Sequence, residues 1–265
     1  MRFCSAEIKG LINFSQNIFV NYFFHFGRFW MFLRLLFNKP EKWSIFRNLV
    51  MREMDSIGFG SIGIVAITSI FMGAVITIQT VYNLVNPLVP LWAVGVVTRD
   101  SIIIEFSPTM ISLVLAGKVG SSIASEIGTM RVTEQIDALE IMGINSSGYL
   151  VLPKLAAAII IFPFVVIISM FVGIGGGWLA GDLSGVISSS DFIRGLQDTF
   201  IPFNVTFALI KTVTFAFLIV TISAYQGFYT AGGALEVGRS STKAVVYSST
   251  MILFSDFILT VLILS

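Results

Sequence analysis

Residues 116–144 read AGKVGSSIASEIGTMRVTEQIDALEIMGI, a compact, acid-rich, helix-forming stretch set between two of the most apolar runs of the chain. Its first half carries Ala116, Gly120, Ala124 and Gly128 at intervals of four, a ridge of small side chains along one helical face. Such a ridge lets a second helix backbone approach closely. Beyond Gly128 the character changes. Val132, Ile136, Leu139 and Gly143 form an i, i+4, i+7, i+11 stripe. Glu126, Asp137 and Glu140 point to a different arc, with Glu134 at its edge and Arg131 three residues before it. The pattern predicts a helix over about 126–144 with one face to bury and one acidic face to present. Two readings stay open on these residues alone: a solvated connector, or a docking face for a soluble partner.

What surrounds the stretch decides where it lies. Of 265 residues, 55% are hydrophobic and 12% charged, about half the charge of a soluble domain. That deficit excludes a nucleic-acid binder or an ordinary cytosolic enzyme, and a net charge of +1 offers no bulk attraction to polyanions. One cysteine (Cys4) and one histidine (His25) leave no disulfide framework, Cys/His zinc site or histidine-based triad. Glu7 and Lys9 interrupt any apolar core at the N-terminus, so a cleaved signal peptide is not expected.

A bilayer core about 30 Å thick needs roughly 20 apolar residues per helix. No charge occurs from Ser56 to Thr98, and Pro87 and Pro90 divide that run. Five spans follow, at about 57–83, 101–124, 153–181, 203–226 and 244–264. Glu105 falls in the first half of the second span, Lys211 interrupts the fourth and Asp256 the fifth. Basic residues set the orientation. With a cytoplasmic N-terminus, that side receives eight basic residues before Ser56, then Lys118, Arg131, Lys154, Arg239 and Lys243, against only Arg99 and Arg194 outside. The opening stretch therefore faces the cytoplasm and the C-terminus the other side.

Residues 13–52 mix Phe19, Tyr22, Phe23, Phe26, Phe29, Trp30 and Phe37 with Arg28, Arg34, Lys39 and Lys42. Aromatics among basic residues suit an amphipathic helix lying in the headgroup region. The alternative is a true span near 18–37, but Arg28 and Arg34 would each cost about 2.5–3.5 kcal/mol at its centre. The chain accordingly divides into an interfacial segment, 1–55, and a membrane domain, 56–265.

Two glycine patterns mislead. Gly233-Ala-Leu-Glu-Val-Gly238-Arg239-Ser240 is one substitution short of a phosphate-binding loop, with Arg239 where lysine is needed and a membrane helix where a strand is needed. Gly173, Gly175, Gly176 and Gly177 fail the dinucleotide pattern and lie within the third span, where Gly173/Gly177 and Gly177/Gly181 serve helix packing. No constellation for hydrolysis, metal binding or redox chemistry is evident, so no catalytic residue is assigned.

The stretch 116–144, followed by Tyr149-Leu-Val-Leu-Pro153-Lys154, closely resembles the signature of the MlaE/YrbE permease family. These are membrane subunits of ABC transporters that move phospholipids between Gram-negative membranes, with relatives in plastids. The resemblance extends to Pro40–Trp43 (PEKW), Lys211, Ser248-Ser249 and Asp256. It departs at Ile104-Glu-Phe-Ser-Pro108, where some members carry Arg-Glu-Leu-Gly-Pro, so only Glu105 and Pro108 carry over. The resemblance implies an all-α homodimer of five-span subunits in a bacterial inner membrane, or alternatively in the inner envelope of a plastid. Each subunit would have an N-terminal interfacial helix and a cytoplasmic coupling helix around Glu126–Gly143. Glu126, Arg131, Glu134, Gln135, Asp137 and Glu140 would meet a separate ATPase subunit, which would hold ATP and Mg. The outer face would meet an MCE-domain lipid-binding protein.

Two other functions compete with a lipid permease: a self-contained secondary transporter working through Glu105, Lys211 or Asp256, and a structural scaffold. For Lys211, pairing with Glu105 at comparable depth is favoured over snorkelling and over direct contact with a lipid phosphate. Asp256, judged deeper, is the less favoured partner.

Overall fold

The computed structural model describes residues 23–36, 43–84 and 89–264, and these are helical with short connections. Helix α1 covers 23–36. The others are α2 (Trp43–Asn83), α3 (Ala93–Val132), α4 (Gln135–Ile141), α5 (Ser146–Leu183), α6 (Ser189–Gln197), α7 (Pro202–Phe228) and α8 (Ala234–Leu264). Five of them, α2, α3, α5, α7 and α8, are long and apolar enough to cross a membrane. Their outer surface is apolar too: Phe59, Phe71, Phe171, Phe257 and Leu262 are all more than two-thirds exposed. A water-facing protein rarely shows such a surface, whereas lipid tails accept it. The chain is a polytopic all-α membrane protein.

Every span is longer than its apolar run. Helix α2 starts at Trp43, α5 at Ser146 and α8 at Ala234, while α3 continues to Val132. Hydropathy sees only the part in contact with lipid, and helical hydrogen bonding carries on into the polar ends. The division at 55/56 thus falls inside α2. Pro40, Lys39, Lys42, Phe19, Tyr22, Phe37 and Pro87 lie outside the described residues. Residues 234–240 form the first turns of α8, with Arg239 paired to Glu236 rather than framing a phosphate.

Packing rests on the two small-residue ridges. Helices α2 and α5 run parallel, and their glycines abut. A Cβ on Gly176 would lie 2.6 Å from the Ile70 carbonyl, and one on Gly58 2.8 Å from the Ile161 side chain. Gly173 faces Ser69 across the same crossing, while Gly177 and Gly181 face Thr77. The ridge Ala116/Gly120/Ala124/Gly128 packs along α7 and the start of α8: Gly120 meets Ser223, Ala124 meets Gly227 and Gly128 meets Thr230 and Val237. Both ridges are therefore filled within one chain. The homodimer implied by the resemblance would have to form through other surfaces.

Around the crossings lies a continuous apolar core that includes Leu115, Phe162, Phe215 and Ile219. Helix α1 joins it through Phe32 and Leu36, both fully buried. Its Arg28 stacks 3.7 Å from the Tyr229 ring centroid, and His25 Nδ1 lies 3.1 Å from the Tyr225 hydroxyl. The opposite face of α1 leaves Phe23, Phe26 and Trp30 largely exposed. At the other end of the bundle α6 is bolted to α3. Arg99, almost wholly buried, donates to the carbonyls of Leu196 (2.9 Å) and Asp198 (2.6 Å), capping the C-terminus of α6.

Candidate functional site: an intramembrane ion cluster and a projecting short helix

The fold brings all three intramembrane charges to one point. Lys211, fully buried on α7, places Nζ 2.8 Å from Glu105 Oε2 on α3 and 2.7 Å from Asp256 Oδ1 on α8. Thr109 Oγ1 lies 3.2 Å from Asp256 Oδ1 and 3.4 Å from Glu105 Oε1. The expected Lys211–Glu105 pair is present, and Asp256 is a second partner rather than a poor one. Asp256 lies eight residues before the end of α8, and Lys211 nine residues after the start of α7, so the two are level. Thr109 is the member that sequence patterns missed, because a lone threonine in a span carries no signal.

Around Glu105 the backbone departs from α-helical winding: Ile102–Met110 is π-helical and contains Pro108. A second π-helical segment, Ala116–Gly120, follows in the same helix. Such wide turns are frequent at functional sites. Glu105 keeps 46% of its side chain exposed while Lys211 has none and Asp256 12%. One ammonium thus holds two carboxylates, and the less buried of the two opens towards the exterior.

The acidic stretch behaves differently from the single helix expected over 126–144. Helix α3 ends at Val132, Glu134 takes a left-handed conformation (φ 61°), and α4 spans only Gln135–Ile141. The break falls at the β-branched pair Val132-Thr133, where helix propensity is low. The stripe from Val132 to Gly143 is therefore not on one helix, although Ile136 is fully buried. Arg131 closes the break by pairing with Asp137, not with Glu134. Glu140 accepts from Ser146 Oγ at 2.8 Å, and Gly143 turns the chain with φ 78°. Glu134 and Gln135 are exposed. The tip is apolar: Ile141 is 87% and Met142 65% exposed.

Glu126 does not belong to that projection. It sits on α3 with Oε2 2.8 Å from Lys154 Nζ, which also lies 2.7 Å from Glu53 Oε1. Lys154, counted among the cytoplasmic basic residues, is inside α5 and almost wholly buried. This second cluster ties α2, α3 and α5 together.

Five apolar helices, an ion cluster set among three of them and a short helix projecting from one end define a multi-pass membrane protein with the build of a permease. The comparisons agree. A family model described as permease MlaE matches residues 50–262, and the chain belongs to the MlaE permease family. It is 38% identical over 234 residues to a probable ABC transporter permease protein of Rickettsia bellii, covering 88% of this chain and 90% of that one. A probable ABC transporter permease protein of Rickettsia prowazekii is 37% identical over 252 residues, 95% of this chain and 94% of its own. The chloroplastic protein TRIGALACTOSYLDIACYLGLYCEROL 1 of Arabidopsis thaliana is 34% identical over 209 residues, 79% of this chain and 59% of its own.

Proposed function

We propose that this chain is the membrane subunit of an ABC transporter that moves phospholipids or related lipids, with ATP bound and hydrolysed by a separate cytoplasmic ATPase. The observation that carries this reading is the apolar tip Ile141-Met142, held out on a braced seven-residue helix. Exposed isoleucine and methionine beyond the end of a bundle are costly in water and suit a groove on a partner. Glu134 and Gln135 would flank that contact, whereas Asp137 and Glu140 brace the helix from within. The lipid cargo is supported by family membership and by the resemblance in the sequence. A homodimer and an MCE-domain partner on the outer side complete the reading, in an inner membrane with the N-terminus cytoplasmic and the C-terminus periplasmic.

The test is co-expression with the ATPase subunit and purification in mild detergent. Ile141→Glu with Met142→Glu is expected to lower ATPase recovery at least about tenfold, the scale on which buried apolar anchors act, while the permease stays monodisperse. Undiminished recovery would make α4 a simple connector. A second reading, a secondary transporter, is favoured by the half-exposed Glu105 beside a buried ammonium. Lipid transfer between vesicles that needs no ATP but collapses with the proton gradient would establish it instead.

A further inference from the structure

Three buried serines stand on the helices that carry the ion cluster: Ser112 on α3, Ser223 on α7 and Ser248 on α8. Each is wholly inaccessible, and none of the three hydroxyl oxygens has a hydrogen-bond partner among the described residues. The usual remedy inside a span is a bond to the residue's own helix. Thr212 makes one to the Ala208 carbonyl (2.8 Å) and Thr221 one to the Phe217 carbonyl (2.7 Å). An unmet hydroxyl in a low-dielectric interior is costly, and three of them along one seam call for a partner.

All three face the seam where α7 and α8 meet the small-residue ridge of α3. Ser223 Oγ lies 2.9 Å from where a Cβ on Gly120 would stand, so it points at α3. On α8, Ser248 lies between two residues that touch α3. Seven residues before it, Ser241 Oγ donates to the Ser121 carbonyl at 3.2 Å; eight after it, Asp256 meets Thr109 at 3.2 Å. Ser248 therefore sits near the level of Ala116. Ser112 is three residues beyond Thr109, on the ridge that continues through Ala116 and Gly120. The second π-helical segment, Ala116–Gly120, borders the same seam.

The spacing identifies the partner. At about 1.5 Å per residue along α3, Thr109, Ser112, Ser248 and Ser223 follow one another in steps of about 4–6 Å. A water joining two oxygens by hydrogen bonds of about 2.8 Å spans about 5.6 Å. The row starts at Ser241, half-buried at the end of the bundle from which α4 projects. It finishes at Thr109, whose hydroxyl lies within reach of Asp256 and Glu105.

We propose that this seam holds a single file of water, bound by Ser223, Ser248 and Ser112 in that order from its mouth at Ser241. The file gives the Lys211–Glu105–Asp256 cluster aqueous contact with the α4 end of the bundle. A few ordered molecules satisfy the hydroxyls without bringing bulk dielectric to the charges, so the cluster stays a low-dielectric site. The inference goes beyond the permease reading, and neither lipid nor nucleotide enters its test.

Cys4→Ser removes the one native thiol. In that background the full chain is made with one new cysteine at a time: Ser241→Cys, Ser248→Cys, Ser112→Cys, and Val166→Cys as a control buried in α5 away from the seam. Each is exposed in detergent and chloride-free buffer to silver ion, a thiol reagent about the size of water. Thiols left unreacted over time are counted by maleimide labelling after denaturation. The three seam cysteines are expected to react at least about tenfold faster than Val166→Cys, because an ion enters a dry core only at heavy cost. Ser223→Val, which replaces a hydroxyl by methyl groups, is expected to return Ser248→Cys and Ser112→Cys to the control rate. Ser241→Cys, nearer the mouth, keeps its rate and shows that the bundle is still folded. Ser248→Val is the second plug and is expected to slow Ser112→Cys in the same way. Seam cysteines no faster than Val166→Cys would mean a dry seam and overturn the proposal. Fast reaction at Ser112→Cys that neither plug slows would bring water from another direction and overturn it as well.

Discussion

Two lysines in this bundle are each gripped by two carboxylates, and the two clusters differ in almost everything else. Lys211 is fully buried among α3, α7 and α8, well inside the apolar layer, with Glu105 and Asp256 as partners. Lys154 is nearly as buried among α2, α3 and α5, but its partners Glu53 and Glu126 keep 22% and 51% of their side chains exposed. At the Lys154 end, polar residues such as Arg52 and Ser56 line an open pocket around the pair. Glu105 keeps 46% of its side chain exposed, much as Glu126 does, but the Lys211 cluster lies eight to nine residues inside its spans, where that exposure meets the apolar layer rather than bulk water. The same stoichiometry should therefore have very different energetic weight. Coulomb attraction and the cost of an orphaned charge both grow as the effective dielectric falls.

The largest effect follows for Lys211. Removing its ammonium leaves two carboxylates without compensation beside each other in a membrane interior, a change of about 3–5 kcal/mol by the experience of broken buried pairs. Lys211→Met should lower the thermal midpoint of the full chain in detergent sharply. Adding Glu105→Gln and Asp256→Asn should recover most of the loss, because the costly state is the lone charge. If the triple variant is no more stable than the single one, the three residues act independently and the contrast between the clusters fails.

The same contrast explains what was legible in the sequence. Glu105, Lys211 and Asp256 stood out because each interrupts an apolar run, and charge in such a run demands a partner. Lys154 and Glu53 sit at the ends of runs, where charges are ordinary, so nothing in the pattern marked them as a buried pair. Thr109 was silent for a related reason: one threonine in a span is usually satisfied by its own helix, as Thr212 is by the Ala208 carbonyl. Spans were readable to within a few turns, yet their polar ends were not, since hydropathy stops where lipid contact stops. The ridges of small residues were recognised as packing faces. Which helix fills each one depends on chain topology, which four-residue spacing does not encode. The left-handed turn at Glu134 was also hidden, for no glycine or proline announces it.

A smaller effect belongs to Lys154. Its partially exposed carboxylates can rehydrate when the ammonium is lost, so Lys154→Met should cost only about 1–2 kcal/mol, between the values for exposed and buried pairs. The loss should shrink as salt is raised through the range where the Debye length falls from about 10 Å to 3 Å. The Lys211→Met loss should barely respond. Detergent melting curves of both variants at low and high sodium chloride measure this directly. Equal salt sensitivity would mean that both clusters are equally wet, and the contrast in depth would lose its meaning.

The smallest effect isolates the hydroxyl that only the inner cluster possesses. Thr109 Oγ1 lies within reach of both carboxylates, 3.2 Å from Asp256 and 3.4 Å from Glu105. A hydroxyl has one hydrogen to give, so at any moment it serves one of them. The shorter distance favours Asp256, which is also the more buried of the two and has less access to water. Thr109→Val keeps the shape and removes the donor, and should cost about 1 kcal/mol, the usual net value of one such bond. In an Asp256→Asn background the same change should cost less, because a neutral amide accepts a weaker hydrogen bond than a carboxylate. In a Glu105→Gln background the cost should stay nearly whole. Melting midpoints of the parent, the three single variants and the two double variants form the two cycles needed. A larger reduction with Glu105→Gln would place the hydroxyl on the outer carboxylate, and a neutral Thr109→Val would leave the ammonium alone holding the cluster.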